Sequence, residues 1–147
     1  MRKVQRSALV RYSAAQMYSL VDDVESYPQF LPWCRSTTVH SREGPVVEAT
    51  LELHRAEMSK RFRTRNTASG TNSIEMQLVD GPFRHLAGRW SFTQVGDAGS
   101  KVSLDLEFEF SNAAMDLIFG VFFEETCNTL VDAFTRRAEV VFAGPER

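Results

Sequence analysis

The sequence predicts an α+β fold in which a curved antiparallel sheet of seven strands grips one long C-terminal helix, with two short helices after the first strand. Three observations carry that expectation. From about Ser36 to Phe110 apolar residues recur with period two between turn signals, the mark of a half-buried antiparallel meander. From Asn112 to about Phe142 they recur at helical spacing. Between the first strand and the meander lie an S-x-x-Q capping pattern and a proline-bracketed aromatic segment. The 147 residues are read as one domain, 1–147, large enough to build a core without disulfides or metals.

Residues 3 to 12 read as a strand that ends at Ser13, whose spacing to Gln16 makes a capping box. A helix follows, with Met17, Leu20, Val21 and Val24 on one face. Next comes SYPQFLPWC, residues 26 to 34, holding two prolines and the large apolar side chains Tyr27, Phe30, Leu31 and Trp33. Ser26 can cap a very short helix there, because Pro28 is tolerated in a first turn and Pro32 stops it. Loops are normally polar, so this aromatic density requires something apolar to lie against.

Turn signals at EGP (43 to 45), SGTN (69 to 72), DGP (80 to 82) and GDAGS (96 to 100) break the meander, in which around six strands are implied. Its clearest alternation sets Leu104, Leu106, Phe108 and Phe110 against Asp105, Glu107 and Glu109; Val47, Ala49, Leu51 and Leu53 repeat it more weakly. The final helix, roughly 45 Å long at 1.5 Å per residue, places Met115, Ile118, Phe119, Phe122, Phe123, Leu130, Ala133 and Phe134 on one broad face. In its first half Leu117 and Val121 add apolar groups to the otherwise polar side, which marks either an interface or packing beneath the loop expected at DGPFRHLAG (80 to 88) or the short helices.

Composition narrows the function. A net charge of −2 argues against a general nucleic-acid binder and leaves no DNA partner to expect. Cys34 and Cys127 have no C-x-x-C pattern, and His40, His54 and His85 have no metal-ligand spacing, so neither a disulfide framework nor a metal site is expected. The N-terminus is no secretory signal, and the longest apolar run, LIFGVFF (117 to 123), is too short to span a bilayer. A cytoplasmic protein with at most peripheral membrane contact is expected. No nucleophile elbow, phosphate loop or dinucleotide fingerprint occurs, and no catalytic residue is assigned. Asp80, Arg84 and His85 lie close in sequence, yet turn chemistry explains Asp80 equally well. In KRFRTR, strand alternation puts Arg61, Arg63 and Arg65 on one face. They can meet nucleic-acid phosphates, but Glu48, Glu52 and Glu75 on flanking strands are placed to pair with them, and the ion-paired face is favoured.

SYPQFLPWC, LVDGPFRHLAGRWSF (78 to 92) and LEFEFSN (106 to 112), followed by the long helix, resemble the bacterial ribosome-association toxins and their mitochondrial relatives, the coenzyme Q-binding START-domain proteins. The likeness covers nearly the whole chain and extends to the wider polyketide cyclase/dehydrase and oligoketide cyclase/lipid transport superfamily. It implies the helix-grip, START-like fold, with a hydrophobic cavity between sheet and helix. It also implies, without any required cofactor, binding of ubiquinone or another isoprenoid quinone in support of respiration. Phe30, Leu31, Trp33, Phe83, Leu86, Phe119, Phe122 and Phe123 are expected together as the ligand wall, although for any single one of them a core plug is the favoured reading. The second implied function is toxin-like binding of the large ribosomal subunit that blocks subunit association, with Leu117, Val121, Arg61, Arg63 and Arg65 as interface candidates. A polyketide aromatase or cyclase is the third.

Overall fold

The computed structural model describes residues 1–143. Strand β1 (Arg2–Val10) leads to helix α1 (Ala14–Asp22) and a 3-10 turn (Val24–Gln29). Then come β2 (Cys34–Glu43), β3 (Val46–Arg55), β4 (Met58–Ser69), β5 (Ser73–Asp80), β6 (Phe83–Val95) and β7 (Gly99–Phe110). All seven strands form one antiparallel sheet in the order β1-β7-β6-β5-β4-β3-β2, so the first strand closes against the last. Every inward position of β7 from Ser100 to Phe110 is buried, and Val47, Ala49, Leu51 and Leu53 are buried along β3, as their alternation predicts.

The capping box at α1 forms in both directions. Ser13 Oγ accepts from the Gln16 amide at 3.1 Å, and Gln16 Oε1 accepts from the Ser13 amide at 2.9 Å. Met17, Leu20 and Val21 turn inward from this helix. The following turn differs from expectation. Asp23, at φ −83° and ψ 69°, redirects the chain at once, so the 3-10 turn opens at Val24 and Ser26 sits within it, donating to Asp23 Oδ2 at 2.5 Å. Val24, expected on the α1 face, is buried from the 3-10 turn instead. Tyr27 ties the aromatic segment to α1 through its hydroxyl, which donates to the Val21 carbonyl at 2.5 Å.

Two further corrections concern the meander. The stretch beginning at Phe83 is not a loop but the start of β6, with a two-residue link, Gly81 and Pro82, before it. The β3–β4 turn carries no glycine, asparagine or aspartate; Ala56 takes the left-handed conformation there at φ 53°.

The C-terminal run is helical throughout but segmented, as α2 (Ala113–Met115), a π-turn (Asp116–Gly120), α3 (Val121–Asn128) and α4 (Leu130–Val141). Asn112 caps it, its Oδ1 accepting from the Met115 amide. At Thr129 the backbone amide reaches back only to Thr126, and the Thr129 hydroxyl bonds the same carbonyl at 2.7 Å, which breaks the α ladder between α3 and α4. Arg2 of β1 pins the π-turn. Its Nε and Nη2 reach both Asp116 carboxylate oxygens at 3.1 and 3.0 Å, and Nη1 reaches Glu124 at 2.7 Å. The guanidinium holds the Asp116 carboxyl below its ordinary range.

Candidate functional site: a cavity between sheet and helix

The inward face of the sheet does not meet the helix everywhere. A cavity of about 70 Å³ lies between β4–β7 and α3–α4, capped by the 3-10 turn and the segment after it. Leu31, Trp33, Leu86 and Phe123 of the expected wall line it, together with Tyr27, Phe62, Trp90, Leu106 and Phe134. A second, open cleft of about 330 Å³ lies outside, bounded by Pro32, His54, Arg55, Ala56, Phe122, Thr126 and Thr129. Trp33 belongs to both linings, so its indole is the partition between the inner cavity and the outer cleft.

The other four expected wall residues lie outside the inner lining. Phe83 stacks on Phe110 at a centroid distance of 4.5 Å and meets Phe62 edge-on, filling the core beyond the cavity. Phe119 is fully buried beside Phe110. Phe30 packs edge-to-face on Phe134 at 5.2 Å beneath the Arg137 guanidinium. Phe122 faces the outer cleft, with the Arg55 guanidinium 5.6 Å from its ring centre.

The sequence reading passed over the polar members of the lining, Thr64 and Asn66. Both follow Phe62 at alternate positions of β4, and that alternation is the signal that turns them inward. Asn66 Oδ1 is sealed from solvent and accepts no hydrogen bond among the described residues. A β-bulge opposite Arg63 and Thr64 offsets β4 from β5 beside them. No aspartate, glutamate, histidine, lysine or arginine lines the cavity. Burial pushes the Cys127 thiol well up, and that of Cys34 up to about 12, so neither is a thiolate nucleophile at neutral pH.

The acid and base candidates sit elsewhere. His85 pairs with Glu107 at 3.0 Å and Arg84 with Glu109 at 2.8 Å, neither in the cavity lining. Among the described residues no three histidine, cysteine or carboxylate groups cluster as a metal site, and no helix is long and apolar enough to cross a membrane.

The arginine stripe is paired only in part. Arg63 and Arg65 share the Glu48 carboxylate at 2.8 and 2.7 Å, which lowers the Glu48 pKa. Glu75 turns to Arg89 on β6 instead, a correction to the expected pairing, since its register partner on β4 is Thr67. Arg61 stands opposite Glu52 in register but forms no ion pair among the described residues. Leu117 and Val121 do not pack beneath the neighbouring segments. They are 85% and 59% exposed on the π-turn and the first residue of α3.

A curved antiparallel sheet wrapped on a C-terminal helix, with a largely apolar cavity between them, defines a START-like helix-grip domain. Residues 10–135 match the family described as polyketide cyclase/dehydrase and lipid transport, and the chain belongs to that family. It is 46% identical to the ribosome association toxin RatA of Vibrio cholerae, over 97% of this chain and 99% of that one. It is 29% identical to the mitochondrial coenzyme Q-binding protein COQ10 homolog B of Xenopus laevis, over 95% of this chain and 59% of that one. Among solved structures, a START superfamily protein from Mycobacterium smegmatis superposes with a TM-score of 0.80 at 24% identity, covering 95% of this chain and 98% of that one. The Zhui aromatase/cyclase of Streptomyces sp. R1128 gives 0.81 at 16% identity, covering 94% and 93%. At those identities the two structures establish the fold alone.

Proposed function

We propose that the chain is a non-enzymatic binding protein whose inner cavity takes a hydrophobic small molecule, an isoprenoid quinone ahead of other lipids. The observation that carries this reading is the inner cavity, apolar apart from Thr64, Asn66, the Trp33 and Trp90 indole N–H groups, the Cys127 thiol and a Tyr27 hydroxyl already bonded to Val21. Catalysis of a cyclisation needs titrating groups at the reacting atoms, and the lining supplies no acid–base pair. The name of the Xenopus laevis relative supports quinone as the ligand. At about 70 Å³ the cavity is well below the ~300–1,000 Å³ usual for ligand sites, so an entering ring must displace its cover. Trp33 is the natural door, because a ligand moving in from the outer cleft meets it first. The segmented helix behind it, broken at the π-turn and at Thr129, supplies joints that can shift.

The test uses the protein's own fluorophores. Its two tryptophans, Trp33 and Trp90, both line the cavity. A short-tailed benzoquinone is expected to quench their emission with a saturable one-site curve. Linear quenching without saturation, together with no quinone in solvent extracts of the purified protein analysed by mass spectrometry, would remove the reading.

Ribosome association is the second reading, favoured by the names of relatives 40–46% identical over nearly the whole chain. Because Glu48 already holds Arg63 and Arg65, the exposed Leu117 and Val121 are the better contact. Replacing both with serine is expected to abolish pelleting with large ribosomal subunits and to spare quinone quenching. Serine at Arg61, Arg63 and Arg65 is expected to leave pelleting unchanged. Loss of pelleting in the arginine variant alone, with wild-type binding falling steeply with salt, would move the interface to the stripe. Failure of the wild type to pellet at low salt would end the second reading.

A further inference from the structure

Asn66 occupies a row that crosses the sheet under the cavity. It stands opposite Val47 on β3 and Met76 on β5, Met76 stands opposite Gly88 on β6, and Gly88 opposite Leu106 on β7. Asn66, Met76 and Leu106 all line the cavity. Between the last two, a side chain on Gly88 would lie 2.7 Å from Leu106 Cδ1 and 3.0 Å from Met76 Cε, so the floor is kept low by the missing Cβ. At one end of this apolar floor stands an amide whose oxygen has no protein partner. An unpaired buried polar group costs about 1 to 3 kcal/mol, and a Leu or Val of similar size would fit the row without that cost.

We propose that Asn66 recognises the polar head of the ligand, and that the head is neutral: a carbonyl- or hydroxyl-bearing ring on an apolar tail, not a fatty-acid carboxylate or a lipid phosphate. This rests on the cavity being the binding site. Neutrality follows from the lining. A buried anion needs a cationic partner, and the lining holds no lysine, arginine or histidine; its polar groups are the neutral Asn66 and Thr64, the Trp33 and Trp90 indoles, the Cys127 thiol and the committed Tyr27 hydroxyl. The carboxamide suits both oxidation states of such a ring. Its NH2 donates to a quinone carbonyl, and after a 180° flip its oxygen accepts from a quinol hydroxyl. No other side-chain bond holds it one way round among the described residues, so the flip breaks nothing. Thr64, two positions along the same face, stands roughly 7 Å away and can serve a second oxygen across a ring.

The experiment compares three probes with one tail: a decyl-tailed benzoquinone, decylbenzene and decanoate, titrated calorimetrically into wild type and Asn66→Leu. Wild type is expected to bind the benzoquinone about tenfold or more tighter than decylbenzene, and decanoate weakest. Asn66→Leu is expected to lose that preference, to bind decylbenzene as before, and to melt no lower than wild type. Retention of the preference by the variant overturns the assignment, as does tightest binding of decanoate by wild type. If wild type binds no probe, the cavity reading fails, and Asn66 with it. Should Asn66→Leu not fold, the Asn66 side-chain NH2 resonances of wild type decide. They are expected to shift with the benzoquinone and stay in place with decylbenzene, and the absence of a benzoquinone-specific shift overturns the proposal.

Discussion

Phe123→Ala is expected to cost about 3 to 5 kcal/mol, while Phe122→Ala, one residue earlier, costs about 1 kcal/mol. Phe123 is 3% exposed, and its ring meets those of Trp33, Phe62, Phe83, Phe108 and Phe110 at centroid distances from 4.8 to 6.3 Å. Truncating it opens a hole where four sheet residues and the partition Trp33 converge, and a sheet hydrogen-bonded across seven strands cannot collapse to fill it. Phe122 is half-buried at the outer cleft beneath the exposed Arg55 side chain, whose methylenes can settle into the space. For a chain of this size the difference corresponds to a fall in melting temperature of roughly 6 to 20 °C for the first variant and a few degrees for the second. Thermal unfolding followed by circular dichroism reads both. Equal losses would mean that Phe123 and Phe122 are not divided between the core and the outer cleft. Because the new hole adjoins the inner cavity, benzene is expected to raise the melting temperature of Phe123→Ala and to leave that of wild type unchanged.

The fold was legible because its signals are local and redundant. Ser13 and Gln16 announce α1, the alternation of Leu104 to Phe110 announces β7, and glycine-bearing turns separate most of the strands. Where the local signal is absent, so was the reading: Ala56 makes a left-handed turn with none of the residues that advertise one, and the short link at Gly81 and Pro82 looks, with its neighbours, like a longer loop. The wall was legible only in part. Periodicity says which side chains point inward, but whether an inward ring meets another ring or open space depends on strands far apart in sequence. Phe83 and Leu86 both point inward from β6; Phe83 meets Phe110, and Leu86 meets the cavity. Asn66 carried a clearer mark that was passed over. A carboxamide two steps beyond Phe62 and Thr64 on an inward face is anomalous in a core, and anomalies of that kind point to binding more directly than another aromatic does.

Gly81→Ala is expected to destabilise the protein by about 2 to 4 kcal/mol, more than Gly96→Ala, although both glycines have positive φ. Gly81 sits at φ 148°, where a β-carbon is strained, and that atom would lie 2.7 Å from Phe62 Cβ and 3.0 Å from Phe62 Cα. Backbone of a central strand cannot give way as a side-chain tip can. The displacement would pass to the Phe62 ring, which packs on Phe83 and Phe123 and lines the cavity, while bulges on both flanking strands already fix the corner. Gly96, at φ 65°, has nothing within 4 Å of its would-be β-carbon, so alanine there meets only the intrinsic left-handed penalty of about 1 to 2 kcal/mol. The excess at Gly81 combines the greater backbone strain at φ 148° with the steric contribution of the Phe62 contact, together about 1 to 3 kcal/mol. Urea unfolding of the two variants side by side measures it. A matching loss in both would show that the Gly81 corner yields freely and that Phe62 is not held from that side. An excess at Gly81, accompanied by weaker quinone quenching in a variant that remains folded, would tie the corner to the cavity through Phe62 itself.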